Sequence, residues 1–229
     1  MTDSRITVGG AERIADTSKM YQDAFKDDPA FRYMLQHMSD GERYAYLYRY
    51  FTKLLKAAAL NHGIFEEIEY FSSATVVLPP GKRLDNPLTL LPAGLASFLW
   101  EVGLRGCARM LFEFPSKTGA AKKKALKGHK RYWYLFSIAT APACEGRGLG
   151  SAMLKSIQAR ATKEGLPVWL ESTTEKSMRV YLKNGFEVVD TIIFGKGNTA
   201  ADGRAQSNGA GITLWAMVWW PPRDSELNK

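Results

Sequence analysis

Cysteine is nearly absent from this sequence: Cys107 and Cys144 are the only two among 229 residues. Two isolated thiols build no disulfide framework and have no metal-ligand spacing. No metal site is expected, and a reducing compartment, the cytoplasm, is the expected setting. A long apolar run is missing as well. The most apolar region, residues 88–114, is broken by Pro92, Glu101, Arg105 and Arg109. A membrane span needs about 20 apolar residues, so this region reads as a buried or surface-docked helix. The opening MTDSRITV has no apolar core of signal-peptide length, which argues against secretion. An acidic excess is also missing, since the formal net charge is +8. That balance suits nucleic acid, an acidic membrane or a polyanionic small ligand.

A hydrophobic content of 45% over 229 residues is enough for one globular domain with its own core. The spacing predicts a short strand at residues 6–8 and a helix over residues 11–25, stopped by Asp28 and Pro29. Ser39 and Glu42 have capping-box spacing ahead of a broad apolar face on a second helix. Two strands are expected at residues 64–70 and 74–78. Residues 82–131 are irregular: an apolar helix candidate, then a basic cluster of Lys122, Lys123, Lys124, Lys127, Lys130 and Arg131. A charge run of this kind reads first as a solvated connection. Its competing reading is a nucleic-acid-binding module, whose affinity would fall steeply with salt.

From Tyr132 the pattern sharpens. Residues 132–140 (YWYLFSIAT) read as a central strand buried on both faces. A glycine loop follows, then an apolar stripe at helical spacing with Gly165 at the C-cap position. Residues 168–171 are the next strand, and Ser172 with Glu175 offers a second capping box. Another helix runs to Asn184 and Gly185. Strands at residues 186–194 and 212–220 flank a polar loop at 196–211. This order is α/β with a mixed sheet.

The glycine loop is Glu145-Gly146-Arg147-Gly148-Leu149-Gly150-Ser151. It lacks the lysine of a Walker A loop, and its glycines are one residue too tight for a dinucleotide fingerprint. The pattern that fits between a strand and a helix is [Q/R]-x-x-G-x-[G/A], matched except at Glu145. A helix start offers unpaired N–H groups and partial positive charge, and glycines let the backbone approach a pyrophosphate.

Together with WYLFSIAT, Pro142, a strand ending Leu170-Glu171-Ser172 and the run Y-L-K-N-G-F-E-V from Tyr181, this loop resembles the GNAT superfamily of acyl-CoA-dependent N-acyltransferases. Within it, residues 132–190 look most like puromycin N-acetyltransferase-like proteins. The resemblance implies a single N-acetyltransferase domain over residues 1–229 with a helical insertion at about 82–131. It also implies a mostly antiparallel sheet with a V-shaped splay between the fourth and fifth strands. Acetyl-CoA is the implied co-substrate, its pyrophosphate on the amides of Gly146, Arg147, Gly148, Leu149, Gly150 and Ser151. Its pantetheine would pair with the backbone of Ile138, Ala139 and Thr140. Glu145 is the departure, since Gln or Arg is usual there; its carboxylate has room to turn toward Arg147 or the helix amides.

The implied reaction is direct attack of a primary amine on the thioester. The amine has to lose a proton and the departing thiolate gains from a donor. Tyr181 is the candidate donor, by resemblance to the family's tyrosine in Y-x-x-x-G-F, and Glu171 the candidate base. Glu67, Glu69 and His129 are outside candidates for the base. His37 and His62 read as residues near helix ends, and Cys144 as a packed thiol. The resemblance places the acceptor between residues 25–50 and the loop at 196–211, where Phe31, Tyr33, Tyr44 and Tyr48 are candidate walls. A small-molecule amine, xenobiotic or antibiotic amines included, is the expected acceptor. A protein or peptide amine, or acyl-CoA binding without strong catalysis, are the alternatives. No nucleic-acid or membrane partner is expected.

Overall fold

The structure, a computed structural model, describes residues 6–94, 97–126 and 128–222. Among the described residues seven strands form one sheet: β1 (Ile6–Gly9), β2 (Ile64–Ile68), β3 (Ser73–Leu78), β4 (Trp133–Thr140), β5 (Val168–Ser172), β6 (Glu187–Phe194) and β7 (Ile212–Trp219). Their order is β1-β2-β3-β4-β5-β7-β6. Every neighbouring pair is antiparallel except β4 and β5.

Side-chain alternation along the strands divides the core into two layers. On one face Ala74, Val76 and Leu78 pack against α1 (Ile14–Ala24) and α3 (Asp40–Leu60). On the other, Val77, Trp133 and Leu135 meet α7 (Leu149–Glu164) and, through Tyr181, α8 (Glu175–Lys183). The short α2 (Pro29–Met34) starts at Asp28 and joins the first layer. The Ser39–Glu42 capping box forms, with both reciprocal bonds present. Gly165 ends α7 in the left-handed conformation. The second expected capping box is displaced: Thr174, not Ser172, caps α8, accepting from the Ser177 N–H at 3.1 Å. The Ser172 hydroxyl turns inward to the Thr174 carbonyl and the Ser177 hydroxyl instead.

Three further sequence expectations are corrected. β2 stops at Ile68, because Glu69, Tyr70 and Phe71 all take positive φ in the turn to β3. In β4 only Trp133 and Leu135 are buried, and residues 136–140 are half-buried because this end of the strand borders an opening in the sheet. The basic cluster is no solvated connection throughout. Lys122, Lys123 and Lys124 lie in α6 (Phe114–Ala125), whose Ala121 packs beneath β6 and β7; Lys127 lies outside the described residues.

Between β3 and β4 the chain forms α4 (Pro87–Leu90), α5 (Phe98–Ala108), a π-helical turn at Arg109–Glu113, and α6. The apolar stretch proves surface-docked. Val102 and Cys107 enter the core, while Trp100 and Leu104 are exposed. Among the described residues no helix is long and apolar enough to cross a membrane. The loop at 196–211 folds back on itself and onto α2. At Gly203, with φ 91°, a Cβ would stand 2.4 Å from the Pro29 carbonyl oxygen, so only glycine permits that approach.

Candidate functional site

The opening in the sheet follows from where pairing stops. β4 and β5 are paired only through Trp133↔Val168 and Tyr134↔Trp169. Beyond that point β4 stays with β3 as far as Thr140, and β5 stays with β7 as far as Ser172. The two parallel strands therefore separate toward their C-terminal ends. A register shift between Val76 and Val77 lies alongside, where β4 carries one extra residue. From Leu135 onward the β5-facing edge of β4 has no strand partner among the described residues. Ile138, Ala139 and Thr140 lie on that open edge, whose backbone groups still require hydrogen bonds. Ser73 steadies the closed side, donating to the Ala139 carbonyl at 2.8 Å.

The glycine loop emerges at the wide end of this opening. Gly146 and Gly148 have φ of 77° and 81°, and a Cβ on either would meet nothing within 4 Å. Gly148 caps α7 without any side-chain capping bond. The first amides of a helix have no intrahelical acceptor and carry partial positive charge. A doubly charged diphosphate fits such a clear, donor-rich backbone. Leu149 is buried and anchors the helix start against Ile68 and Met153, and Ser151 is fixed by a 3.0 Å bond from the Asn184 amide. Glu145 takes neither of its expected partners. Its carboxylate pairs with Lys176 at the start of α8, while Arg147 reaches Glu69 at 2.7 Å. The positive-φ turn after β2 is what brings Glu69 to Arg147.

Tyr181 lies on the buried side of α8, its ring 5.7 Å from that of Phe186. Among the described residues no hydrogen bond engages its hydroxyl. Burial, and then the negative charge of Asp28, push its pKa up, so the phenol keeps its proton. Asp28 was legible in the sequence only as a helix stop. It is buried, its Oδ1 accepts the Ala30 and Phe31 amides at 2.8 and 3.4 Å, and its Oδ2 accepts the Thr173 hydroxyl. Burial raises its pKa despite those bonds. The start of α2, the end of β5 and α8 thus converge across the splay. Tyr21, also buried, adds α1: its hydroxyl accepts from Ser137 of β4 at 3.0 Å.

Glu171 projects to the same side as Trp169, toward the α1–α3 layer. It is half-buried, accepts the Trp169 indole N–H at 2.7 Å, and lies beside the Tyr134 phenol. Burial first, then the Glu171 charge, hold that phenol protonated. The other base candidates are engaged elsewhere. Glu67 accepts from Thr7 and from the Phe71 amide, Glu69 holds Arg147, and His129 packs on Trp220. Of the two histidines expected near helix ends, His37 faces the Glu101 carbonyl. His62 follows α3 with φ 61°, and Cys144 is a half-buried free thiol. Of the candidate acceptor walls, Phe31 packs in the aromatic core and Tyr33 bonds Glu113 at 2.8 Å, while Tyr44 and Tyr48 are exposed. A surface hollow between α3 and α5, lined by His37, Tyr46, Arg49 and Glu101, shares no residue with the splay.

Comparison with known proteins places this geometry. A sequence model of the Acetyltransferase (GNAT) family matches residues 65–186, which span β2 to Phe186. An uncharacterised N-acetyltransferase of Schizosaccharomyces pombe is 25% identical over 177 residues, 77% of this chain and 71% of that one. Among solved structures, arylalkylamine N-acetyltransferase 2 from Aedes aegypti superposes with a TM-score of 0.62 at 13% identity, covering 96% of this chain and 100% of that one. Polyamine N-acetyltransferase of Drosophila melanogaster gives a TM-score of 0.61 at 13% identity, covering 94% and 100%. At those identities the likeness is one of fold.

Proposed function

The chain belongs to the Acetyltransferase (GNAT) family, and from that premise we propose that it moves an acetyl group from acetyl-CoA to a primary amine of a small molecule. One observation carries the reading: β4–β5 pairing ends after Tyr134↔Trp169, and the uncapped glycine loop opens at the wide end of the same gap. The amides of Gly146, Arg147, Gly148, Leu149, Gly150 and Ser151 would hold the diphosphate, and the open edge at Ile138, Ala139 and Thr140 the pantetheine amides. Acetyl-CoA would supply the activated acyl group as a thioester, and CoA would leave as the thiolate, which takes up the second proton shed by the attacking nitrogen as the amide forms. Glu171 takes a proton from the incoming ammonium. Tyr181 presents its phenolic proton at the sulfur, where its raised pKa favours a hydrogen bond over full release. Asp28 positions this side of the gap by tying the start of α2 to Thr173.

The docking of the 196–211 loop onto α2 supports a small acceptor over a folded protein, because it covers the acceptor side. The likeness to puromycin N-acetyltransferase-like proteins, the reading of residues 1–229 as one domain with an insertion at 82–131, and a cytoplasmic location belong to the same proposal. It is tested by thiol release from acetyl-CoA against a panel of small amines and basic peptides. Release with small amines is expected. Release with peptides alone would redirect the reading to protein substrates, and thermal stabilisation by acetyl-CoA without any release would reduce the protein to an acyl-CoA binder.

A further inference from the structure

Lys122 reaches from α6 to the narrow end of the splay. Its ammonium stands 4.9 Å from the ring centre of Tyr134, 5.3 Å from that of Tyr132 and 5.7 Å from that of Trp169. These distances place one cation over three electron-rich faces. Tyr134 and Trp169 are the last paired residues before the strands part. Glu171, two residues further along β5 on the same side, bonds the Trp169 indole and lies beside the Tyr134 phenol. Among the described residues Lys122 makes no hydrogen bond and no ion pair, whereas its neighbours Lys123 and Lys124 are exposed. Half-buried Lys122 thus rests on aromatic faces at the vertex of the gap. The carboxylate that feels its charge is Asp85, held low first by Arg83 and then by Lys122, while Glu171 is reached only through the shared neighbours Tyr134 and Trp169.

We propose that the box of Tyr132, Tyr134 and Trp169 is the seat of the acceptor's ammonium group and that Lys122 occupies it as a built-in stand-in. The proposal rests on the transferase reading above and narrows its substrate class. The acceptor is a cationic primary amine on an unbranched aliphatic chain, the chemistry of the lysine side chain. Such an ammonium, seated over the rings, would have Glu171 within the same small region to take its proton. Amines that are neutral near pH 7, such as aniline, lack the charge the box selects. Lys122 has to withdraw for an acceptor to enter, so it acts as an internal competitor carried on the insertion between β3 and β4.

The test is calorimetric titration of n-pentylammonium into the full-length protein with free CoA present, beside K122Q and the double variant K122Q/Y132L, each checked by circular dichroism. K122Q is expected to bind at least about threefold more tightly than wild type, and loss of one ring to weaken binding again by about threefold, the scale of one cation–π contact. Neutral n-pentanol is expected to give no heat. Equal or weaker binding by K122Q, or pentanol binding as well as pentylammonium, overturns the box. Thiol release in parallel separates the two readings. Release with amines but no gain in K122Q sinks the box alone, and a gain in K122Q without release from any amine sinks the transferase reading and, with it, the role of the box as an acceptor seat, leaving only an ammonium-binding site.

Discussion

Tyr181 and Asp28 are buried acids near the end of β5, and burial raises the pKa of each. For Tyr181 the result is a phenol that stays protonated and has no protein partner for its hydroxyl among the described residues. Tyr181→Phe removes only that hydroxyl, so steady-state kinetics with the best amine should show kcat lowered by at least about tenfold. Acetyl-CoA affinity should change little, and an unchanged kcat would remove Tyr181 from the chemistry. For Asp28 the raised pKa has a defined sign. The folded protein takes up this proton at higher pH than the unfolded chain, so the stabilising contribution is full below the ordinary carboxyl range and is lost as pH rises through the raised value. Asn also caps helices well. Asp28→Asn should therefore keep α2 while abolishing this pH dependence. In urea unfolding, wild type should gain stability relative to the variant on going from about pH 7 to about pH 4; a constant difference would contradict the assignment. Of these two residues, only Tyr181 was singled out from the sequence, by resemblance to the family's Y-x-x-x-G-F run. Asp28 followed by Pro29 is an ordinary helix-start signal, and nothing local reveals that Thr173, 145 positions away, bonds the same carboxylate.

The loop into α7 is the element on which binding of the co-substrate depends. Gly148 holds φ 81° with open space at its Cβ position. Gly148→Ala tests the backbone alone, where left-handed geometry costs about 1–2 kcal/mol in a side-chain-bearing residue and lowers Tm by about 2–8 °C in a protein of this size. Gly148→Glu carries a similar strain and adds a carboxylate before the helix start. Its acetyl-CoA affinity should fall at least about tenfold below that of Gly148→Ala, a gap of about 1.4 kcal/mol. Equal titration curves for the two variants would remove the loop as the diphosphate cradle. Most of this element could be read from local chemistry: glycine spacing, the following apolar stripe and the Gly165 cap. The partners of its charges could not. Glu145 meets Lys176 and Arg147 meets Glu69 because the turns after β2 and β5 bring distant segments to the loop. The capping box assigned to Ser172 failed for a related reason, since the buried end of β5 draws that hydroxyl inward and leaves the cap to Thr174.

For the molecule as a whole, a formal net charge of +8 surrounds a site proposed to take a polyanion. Long-range attraction of that kind is screened over about 10 Å at 0.1 M salt. The KM for acetyl-CoA should therefore rise several-fold between about 50 and about 300 mM NaCl, mainly through slower association. The KM of a monocationic acceptor should not rise in parallel; if both rise equally, general salt sensitivity is the better account. The sequence by itself determined the mixed α/β class, the glycine loop at a helix start and the tyrosine on the following helix. All of these arise from periodicity, glycine geometry and capping within short segments. Only the tertiary structure decided that β4–β5 pairing stops after two residue pairs, that Asp28 and Tyr181 face one gap, and that Lys122 sits over Tyr134 and Trp169. Those relations join residues far apart in the chain through sheet register and packing, which no local run of side chains encodes.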